Sequence, residues 1–124
     1  MICVKNGYLA SFAGDSETIG VELFKRGVTV DSWDDYNLLF TAKLTADSTD
    51  EEAVIQKTTG EGITIYEDSA LLDMVPFDTV EQESVTLFCD IRGEHVSTGA
   101  RHTFASFTWK INKPITKHTD ASIT

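Results

Sequence analysis

The chain has 124 residues, of which 41% are hydrophobic and 24% are charged, and this balance suits one soluble globular domain with a core of its own. Its formal net charge is −10 and its pI is about 4.5. A surface of this sign repels nucleic-acid phosphates and anionic membranes, so we expect neither of them as a partner.

The N-terminal segment 1–16 predicts a hairpin or arm, because Asn6-Gly7 is a strong two-residue turn signal between short apolar runs. The segment lacks the basic start and the long apolar stretch of a secretory signal peptide. No run in the chain approaches the roughly 18 apolar residues that a membrane-spanning helix needs. We therefore expect a soluble protein made in the cytoplasm.

Apolar and polar residues alternate with a period of two along most of the chain, which is typical of half-buried β-strands. The alternation is clearest in four segments: 18–26 (TIGVELFKR), 37–45 (NLLFTAKLT), 84–93 (SVTLFCDIRG) and 103–112 (TFASFTWKIN). In the last of them it places Phe107 and Trp109 on the core face and Phe104 on the opposite face.

Shorter apolar runs fill the intervals: 27–33 (GVTVDSW), 53–57 (AVIQK), 62–68 (GITIYED) and 70–77 (ALLDMVPF). Glycine, asparagine and aspartate turns separate the runs, and no amphipathic helix of about ten residues is predicted. This pattern predicts an all-β fold, namely an antiparallel immunoglobulin-like β-sandwich of about 7–9 strands. We expect a single domain over 1–124, with a flexible tail at 117–124.

The segment 45–57 (TADSTDEEAVIQK) concentrates acids before a short apolar run. Thr49 and Glu52 have the spacing of a capping box, which predicts at most a short helical turn near 49–52. A strand at Ala53–Lys57 is expected to follow this turn. The acids lack the alternating spacing and the central glycine of a calcium-binding loop, so we interpret them as a solvated connection.

The motifs of catalysis are missing from the sequence. It contains no nucleotide-binding loop, nucleophile elbow or zinc-site spacing, so we predict no enzymatic activity, no metal and no cofactor. His95 and His102 flank the predicted turn at Gly99, and we interpret both as exposed loop side chains. Cys3 and Cys89 lie in apolar runs, and we expect both to be buried, reduced and inert.

The aromatic residues allow a function of another class, a carbohydrate- or ligand-binding β-sandwich module. Such a module would present Trp33, Tyr36 or Tyr66 in an open groove. Burial of Trp33 and Trp109 in the core would remove the rings on which this alternative depends.

Three phenylalanines suggest a possible interaction surface, because each lies on the face opposite to the main apolar set of its strand. They are Phe24, Phe88 and Phe104. Two interpretations stay open at this point. The rings form an outer patch that docks on another subunit, or they are covered by a loop or by the N-terminal hairpin.

The order of four stretches carries a resemblance to a known family: 21–44 (VELFKRGVTVDSWDDYNLLFTAKL), 54–65 (VIQKTTGEGITI), 71–80 (LLDMVPFDTV) and 85–116 (VTLFCDIRGEHVSTGARHTFASFTWKINKPIT). Over residues 17–116 the chain resembles small tail and baseplate domains of phages and prophages. The similarity is to the N-terminal domain of baseplate upper proteins and its relatives.

This resemblance implies an immunoglobulin-like sandwich that serves as a non-enzymatic structural and assembly protein of a phage or prophage tail. Its implied partners are other phage structural proteins and further copies of itself, in a virion made in the bacterial host cytoplasm. Cyclic self-association and pairing through an exposed strand edge are the contacts that such a role implies. We expect a small stand-alone subunit.

Overall fold

The structure is a computed structural model of the 124-residue chain, and it describes residues 1–14, 16–24, 30, 32–45, 47, 53–74 and 84–113. In these ranges the chain is all β apart from one 3₁₀ turn at Trp33–Asp35, so the all-β prediction is confirmed. The described strands are β1 (Ile2–Cys3), β2 (Tyr8–Phe12), β3 (Glu17–Glu22), β4 (Tyr36–Lys43), β5 (Ile55–Thr59), β6 (Gly62–Tyr66), β7 (Ser69–Met74), β8 (Val85–His95) and β9 (Arg101–Asn112).

These strands form one mixed sheet in the order β1-β3-β7-β6-β5-β4-β8-β9-β2. Parallel pairs join β1 to β3, β2 to β9, and β5 to β6, while the other described neighbours are antiparallel. The prediction of a purely antiparallel arrangement was therefore wrong. Two of the parallel pairs arise because the N-terminal strands add to β3 and β9, which are far from them in sequence.

The N-terminal hairpin brings the two edges of the sheet together. Asn6 (φ 52°) and Gly7 (φ 72°) have the left-handed backbone of a two-residue hairpin turn, as predicted. Lys5 and Tyr8 exchange two backbone hydrogen bonds of 3.0 Å across this turn. Beyond that bridge the arms part, since β1 pairs with β3 and β2 pairs with β9. The sheet is consequently almost a closed barrel.

The inward faces of the strands form a single hydrophobic core. Burial alternates along β8 and the first part of β4 as the sequence predicted, with Leu38 and Phe40 pointing inward, while Thr41 on the other face of β4 is buried as well. Among the described residues, no buried side-chain nitrogen or oxygen lacks a hydrogen-bond partner. The largest fully buried side chains are Trp109, Phe40, Phe104, Ile19, Leu38, Ile63, Leu72, Leu87, Ile91 and Ile111.

A β-bulge interrupts the pairing of β8 with β9. Ile91 pairs with Ala105, whereas Arg92 pairs with Thr103, so Phe104 is an extra residue in β9. A bulge shifts the alternation of side chains by one position, and both Phe104 and Ala105 point into the core. The prediction that Phe104 lies on the outer face was therefore wrong.

Three further predictions concern the segment that follows β4 and the C-terminal end of the chain. The helical turn near 49–52 and the tail at 117–124 lie outside the described residues. The strand predicted at Ala53–Lys57 is present as β5, two residues further along the chain.

Candidate interaction surface

The three phenylalanines that the sequence singled out occupy different environments. Phe24 is 54% exposed and Phe88 is 45% exposed, whereas Phe104 is completely buried. The backbone N–H of Phe24 donates to the carbonyl oxygen of Phe104 at 2.7 Å, while Phe88 pairs with Thr108 further along β9. The structure therefore places Phe24 and Phe88 at different levels of the sheet, and it removes Phe104 from the surface.

The buried ring of Phe104 packs against the 3₁₀ turn and the start of β4. It meets Trp33 edge-on at a centroid distance of 5.0 Å and Tyr36 at 5.2 Å. The indole N–H of Trp33 donates to Asp68 Oδ1 at 2.9 Å, which ties the turn to the β6–β7 connection. Gly93 lies directly beneath the Phe104 ring, and a Cβ there would be 2.5 Å from Cε2.

Exposed aromatic rings do gather on another part of the surface, the outer face of β8, β9 and β2. Phe88 of β8 pairs with Thr108, and Thr108 pairs with Tyr8 of β2, so Phe88 and Tyr8 lie in one row across three strands. Phe12 lies on the same face of β2, and Tyr8 and Phe12 are 52% and 51% exposed. We call Tyr8, Phe12 and Phe88 the aromatic patch.

Of the three rings in this patch, only Phe88 is predicted by the sequence to belong to an interaction surface. The alternation in YLASF (residues 8–12) marks Tyr8 and Phe12 as facing the same way, because positions two and four residues apart share a face. That signal shows a shared face but does not say which other strand contributes to it. The pairing of β2 with β9 supplies this information.

A shallow trough runs along the same outer face. Its larger part has a volume of about 650 Å³ and lies over β5, β4, β8 and the start of β9. A second part of about 330 Å³ extends toward Phe88 and Gly7, and the two parts share Thr41, Lys43 and Asp90. The trough is open to solvent and charged side chains such as Lys43, Arg92 and Glu94 line it, so it suits a broad contact more than an enclosed small ligand.

Charge is distributed unequally between the two halves of the sheet. We call β5-β4-β8-β9-β2 the cationic half and β1-β3-β7-β6 the acidic half. The strands of the cationic half contain two acids, Asp90 and Glu94, and five bases: Lys43, Lys57, Arg92, Arg101 and Lys110. The strands of the acidic half contain Glu17, Glu22 and Asp73 and have no lysine or arginine. Among the described strands, bases are thus more numerous in the half that carries the aromatic patch, although the net charge of the whole chain is −10.

His95 and His102, the two histidines in the described residues, lie in β8 and β9 and are partly buried. Nδ1 of His95 accepts hydrogen bonds from the backbone N–H groups of Ser97 and Thr98 at 3.2 and 3.3 Å, which shapes the β8–β9 turn. The His95 ring also meets Tyr36 edge-on at 5.1 Å, while His102 lies beside Phe104. In the described part of the chain, no three His, Cys, Asp or Glu side chains are grouped so that they could hold a metal ion.

The two cysteines differ in exposure and neither is in a disulfide. Cys89 is buried as predicted, but the prediction was wrong for Cys3, which is exposed. Cys3 pairs with Gly20 in β1, which is a two-residue strand at an edge of the described sheet. Burial raises the pKa of the Cys89 thiol, and the negative charge of Asp90 raises it further. Cys89 therefore keeps its proton and is a poor nucleophile.

The rings proposed for a carbohydrate groove are mostly inside the protein. Trp33, Tyr36 and Trp109 are buried, and the Trp109 indole N–H donates to Ser11 Oγ at 2.8 Å. Tyr66 is the exposed member of the predicted set. Burial of both tryptophans counts against the carbohydrate-binding alternative, because a single ring makes no platform.

Comparison of the chain with known protein families and with curated proteins finds no match. None of the helical structure in the described ranges is long and apolar enough to cross a membrane. The functional interpretation thus depends on the aromatic patch, the trough and the distribution of charge.

Proposed function

We propose that the protein is a non-enzymatic structural and assembly protein of a phage or prophage tail, which acts through protein–protein contacts within the virion. Its partners are other phage structural proteins and further copies of itself, and neither nucleic acid nor a membrane is among them. The resemblance of residues 17–116 to phage tail and baseplate domains supports the class of assembly. The observation that carries the contact role is the aromatic patch.

Three half-exposed rings on one face are costly to leave in water, and grouped apolar surface on a soluble protein typically marks a place where a partner binds. Aromatic residues are also enriched at protein interfaces, where they bury a large area at little cost in side-chain entropy. The edges of the sheet are less suited to binding a partner. Because β1 and β2 occupy both edges of the sheet and are joined by the hairpin, we expect contact through a face and not through strand addition.

We also propose that the sheet is folded into two layers as an immunoglobulin-like sandwich, with the acidic half and the cationic half facing each other. Narrow joins between the halves support this proposal. β5 and β6 pair only at Thr58 with Gly62 and at Thr59 with Ile63, and the hairpin joins β1 to β2 only through the Lys5–Tyr8 bridge. Both layers would contribute their inward apolar faces to one core.

Co-elution with the products of neighbouring genes tests the assembly role. The tagged protein is expressed together with the proteins encoded beside it, as the wild type, as Phe88→Asp, and as Val96→Asp. Val96 is an exposed apolar residue in the β8–β9 turn, away from the aromatic patch, and so provides a matched control. We expect a neighbouring structural protein to co-elute with the wild type and with Val96→Asp, and to be lost with Phe88→Asp. If none of the neighbouring gene products co-elutes with the wild type, the proposed function is contradicted.

A further inference from the structure

We propose that the cationic half of one copy binds the acidic half of a second copy, in a head-to-tail contact that joins two different surfaces of the same chain. This inference deepens the proposed function and takes its biological setting from it.

The first surface combines the aromatic patch with basic side chains. Lys43 pairs with Phe88, so its side chain lies next to that ring on the outer face. Lys110 pairs with Ala10, the residue between Tyr8 and Phe12 on the same face of β2. Lys110 therefore lies within the patch, at a level between Tyr8 and Phe12, and Lys43 lies at its edge beside Phe88. A partner for this surface must offer both apolar contact and negative charge.

The outer face of the acidic half has that composition. Asp73 pairs with Thr18 at one level, and Glu22 pairs with Ser69 two levels away, so the two exposed acids stand apart on the face. Leu71 lies on this face between their levels and is partly exposed. Tyr66 pairs with Ser69 at the level of Glu22, and it is one of the most exposed aromatic rings of the described chain. The surface is thus a small apolar centre with acids on either side of it.

Charge decides between the two ways in which copies of this chain could meet. If the cationic half met its own equivalent across a two-fold axis, Lys43 and Lys110 would approach the same bases of the other copy. Like charges held together in an interface weaken binding, and the net charge of −10 already opposes association. Contact between unlike halves instead places bases against acids and rings against apolar surface.

In a dimer formed by two different surfaces, the acidic half of one copy and the cationic half of the other remain unoccupied. Further copies can add to them, so the association continues until a ring closes or a filament grows. The trough beside the aromatic patch is a concave feature of the cationic half, and Tyr66 is an exposed ring of the acidic half. The two surfaces therefore differ in shape as well as in charge.

Two blocked variants test this arrangement. Phe88→Asp puts a charge into the aromatic patch, and the double variant Glu22→Lys/Asp73→Lys reverses the charge of the acidic face. All three positions are on the exposed outer faces, and a circular-dichroism melting curve checks that each variant remains folded. Val96→Asp is again the control. Sedimentation velocity over a wide range of concentrations measures the association of each protein and of mixtures.

We expect the wild type and Val96→Asp to form oligomers that grow with concentration, and each blocked variant to lose at least tenfold in association constant. An equimolar mixture of the two blocked variants should form a 1:1 dimer and nothing larger, because each supplies one intact surface. A monomeric wild type would overturn the inference, as would a mixture that stays monomeric. The inference would also be overturned if the Glu22→Lys/Asp73→Lys variant associated as tightly as the wild type, because the contact would then have to use a surface other than the acidic face.

The outcomes separate this inference from the proposed function. A wild type that stays monomeric but co-elutes with a neighbouring protein, and loses that protein in Phe88→Asp, shows that the cationic half binds another partner; the inference then fails and the assembly role stands. A mixture that dimerises as expected, with no co-elution of any neighbouring product, supports the inference and contradicts the tail role.

Discussion

Replacing Phe104 with alanine measures how much the bulge residue of β9 contributes to the core. Its ring is fully buried and meets the rings of Trp33 and Tyr36 edge-on, at 5.0 and 5.2 Å. Truncating a buried phenylalanine costs about 3–5 kcal/mol, and the two edge-on aromatic contacts, each worth about 0.5–1.5 kcal/mol, place Phe104 in the upper part of that range. We therefore expect the free energy of unfolding to fall by about 4–5 kcal/mol, a large part of the roughly 5–15 kcal/mol that stabilises a domain.

Urea unfolding followed by tryptophan fluorescence gives this free energy, and Trp33 reports directly because its ring contacts Phe104. Phe88→Ala is the matched control, since it removes the same side chain from a half-exposed site and should cost about 1 kcal/mol or less. Phe104→Leu keeps most of the apolar volume and should fall between the two, which preserves the comparison if the alanine variant does not fold. Equal losses at positions 104 and 88 would refute the placement of Phe104 in the core.

The remaining predictions concern three other buried positions. Gly93→Ala places a Cβ 2.5 Å from Cε2 of Phe104, and we expect the same urea titration to show a loss of about 1–3 kcal/mol from overpacking; unchanged stability would mean that the ring does not lie over this glycine. Trp33→Phe removes the indole donor to Asp68 and should cost about 0.5–1.5 kcal/mol, and a variant as stable as the wild type would show that this bond contributes nothing. Burial raises the pKa of Cys89, so the folded thiol keeps a proton that the unfolded thiol loses above about pH 8.5. Stability should then fall as pH rises past that value, by up to about 1.4 kcal/mol per pH unit, and Cys89→Ala should be without this part of the slope in urea titrations from about pH 8 to 10.

Local pattern was enough to predict several elements of this fold. The period-two alternation identified β4 and β8 and the inward direction of Leu38 and Phe40, because side-chain direction along a strand is a local property of the backbone. The turn at Asn6-Gly7 was equally predictable, since few residue pairs adopt positive φ at both positions so readily. Phe88 was placed on the outer face by the same alternation.

Structure and sequence pattern differ where the alternation of side chains is interrupted and where strands from distant parts of the chain meet. The alternation in β9 was extended through Phe104 as if the strand were regular, and the bulge opposite Ile91 and Arg92 reverses it there. Cys3 was expected to be buried from its apolar neighbours, but it is exposed in the short edge strand β1. Neither the bulge nor the edge position has a signature in the surrounding residues.

By itself the sequence determined the strand character of this chain, the faces of its regular strands, the hairpin turn and the overall negative charge. The tertiary structure decided which strands are neighbours: β1 beside β3 and β2 beside β9 make the sheet mixed and nearly closed. The same neighbours place Tyr8, Phe12 and Phe88 on one face and bring all the lysines and arginines of the described strands into one half of the sheet. Strands pair so that inward faces far apart in sequence are buried together. The alternation within one strand shows which side chains face inward, but it does not identify the neighbouring strand.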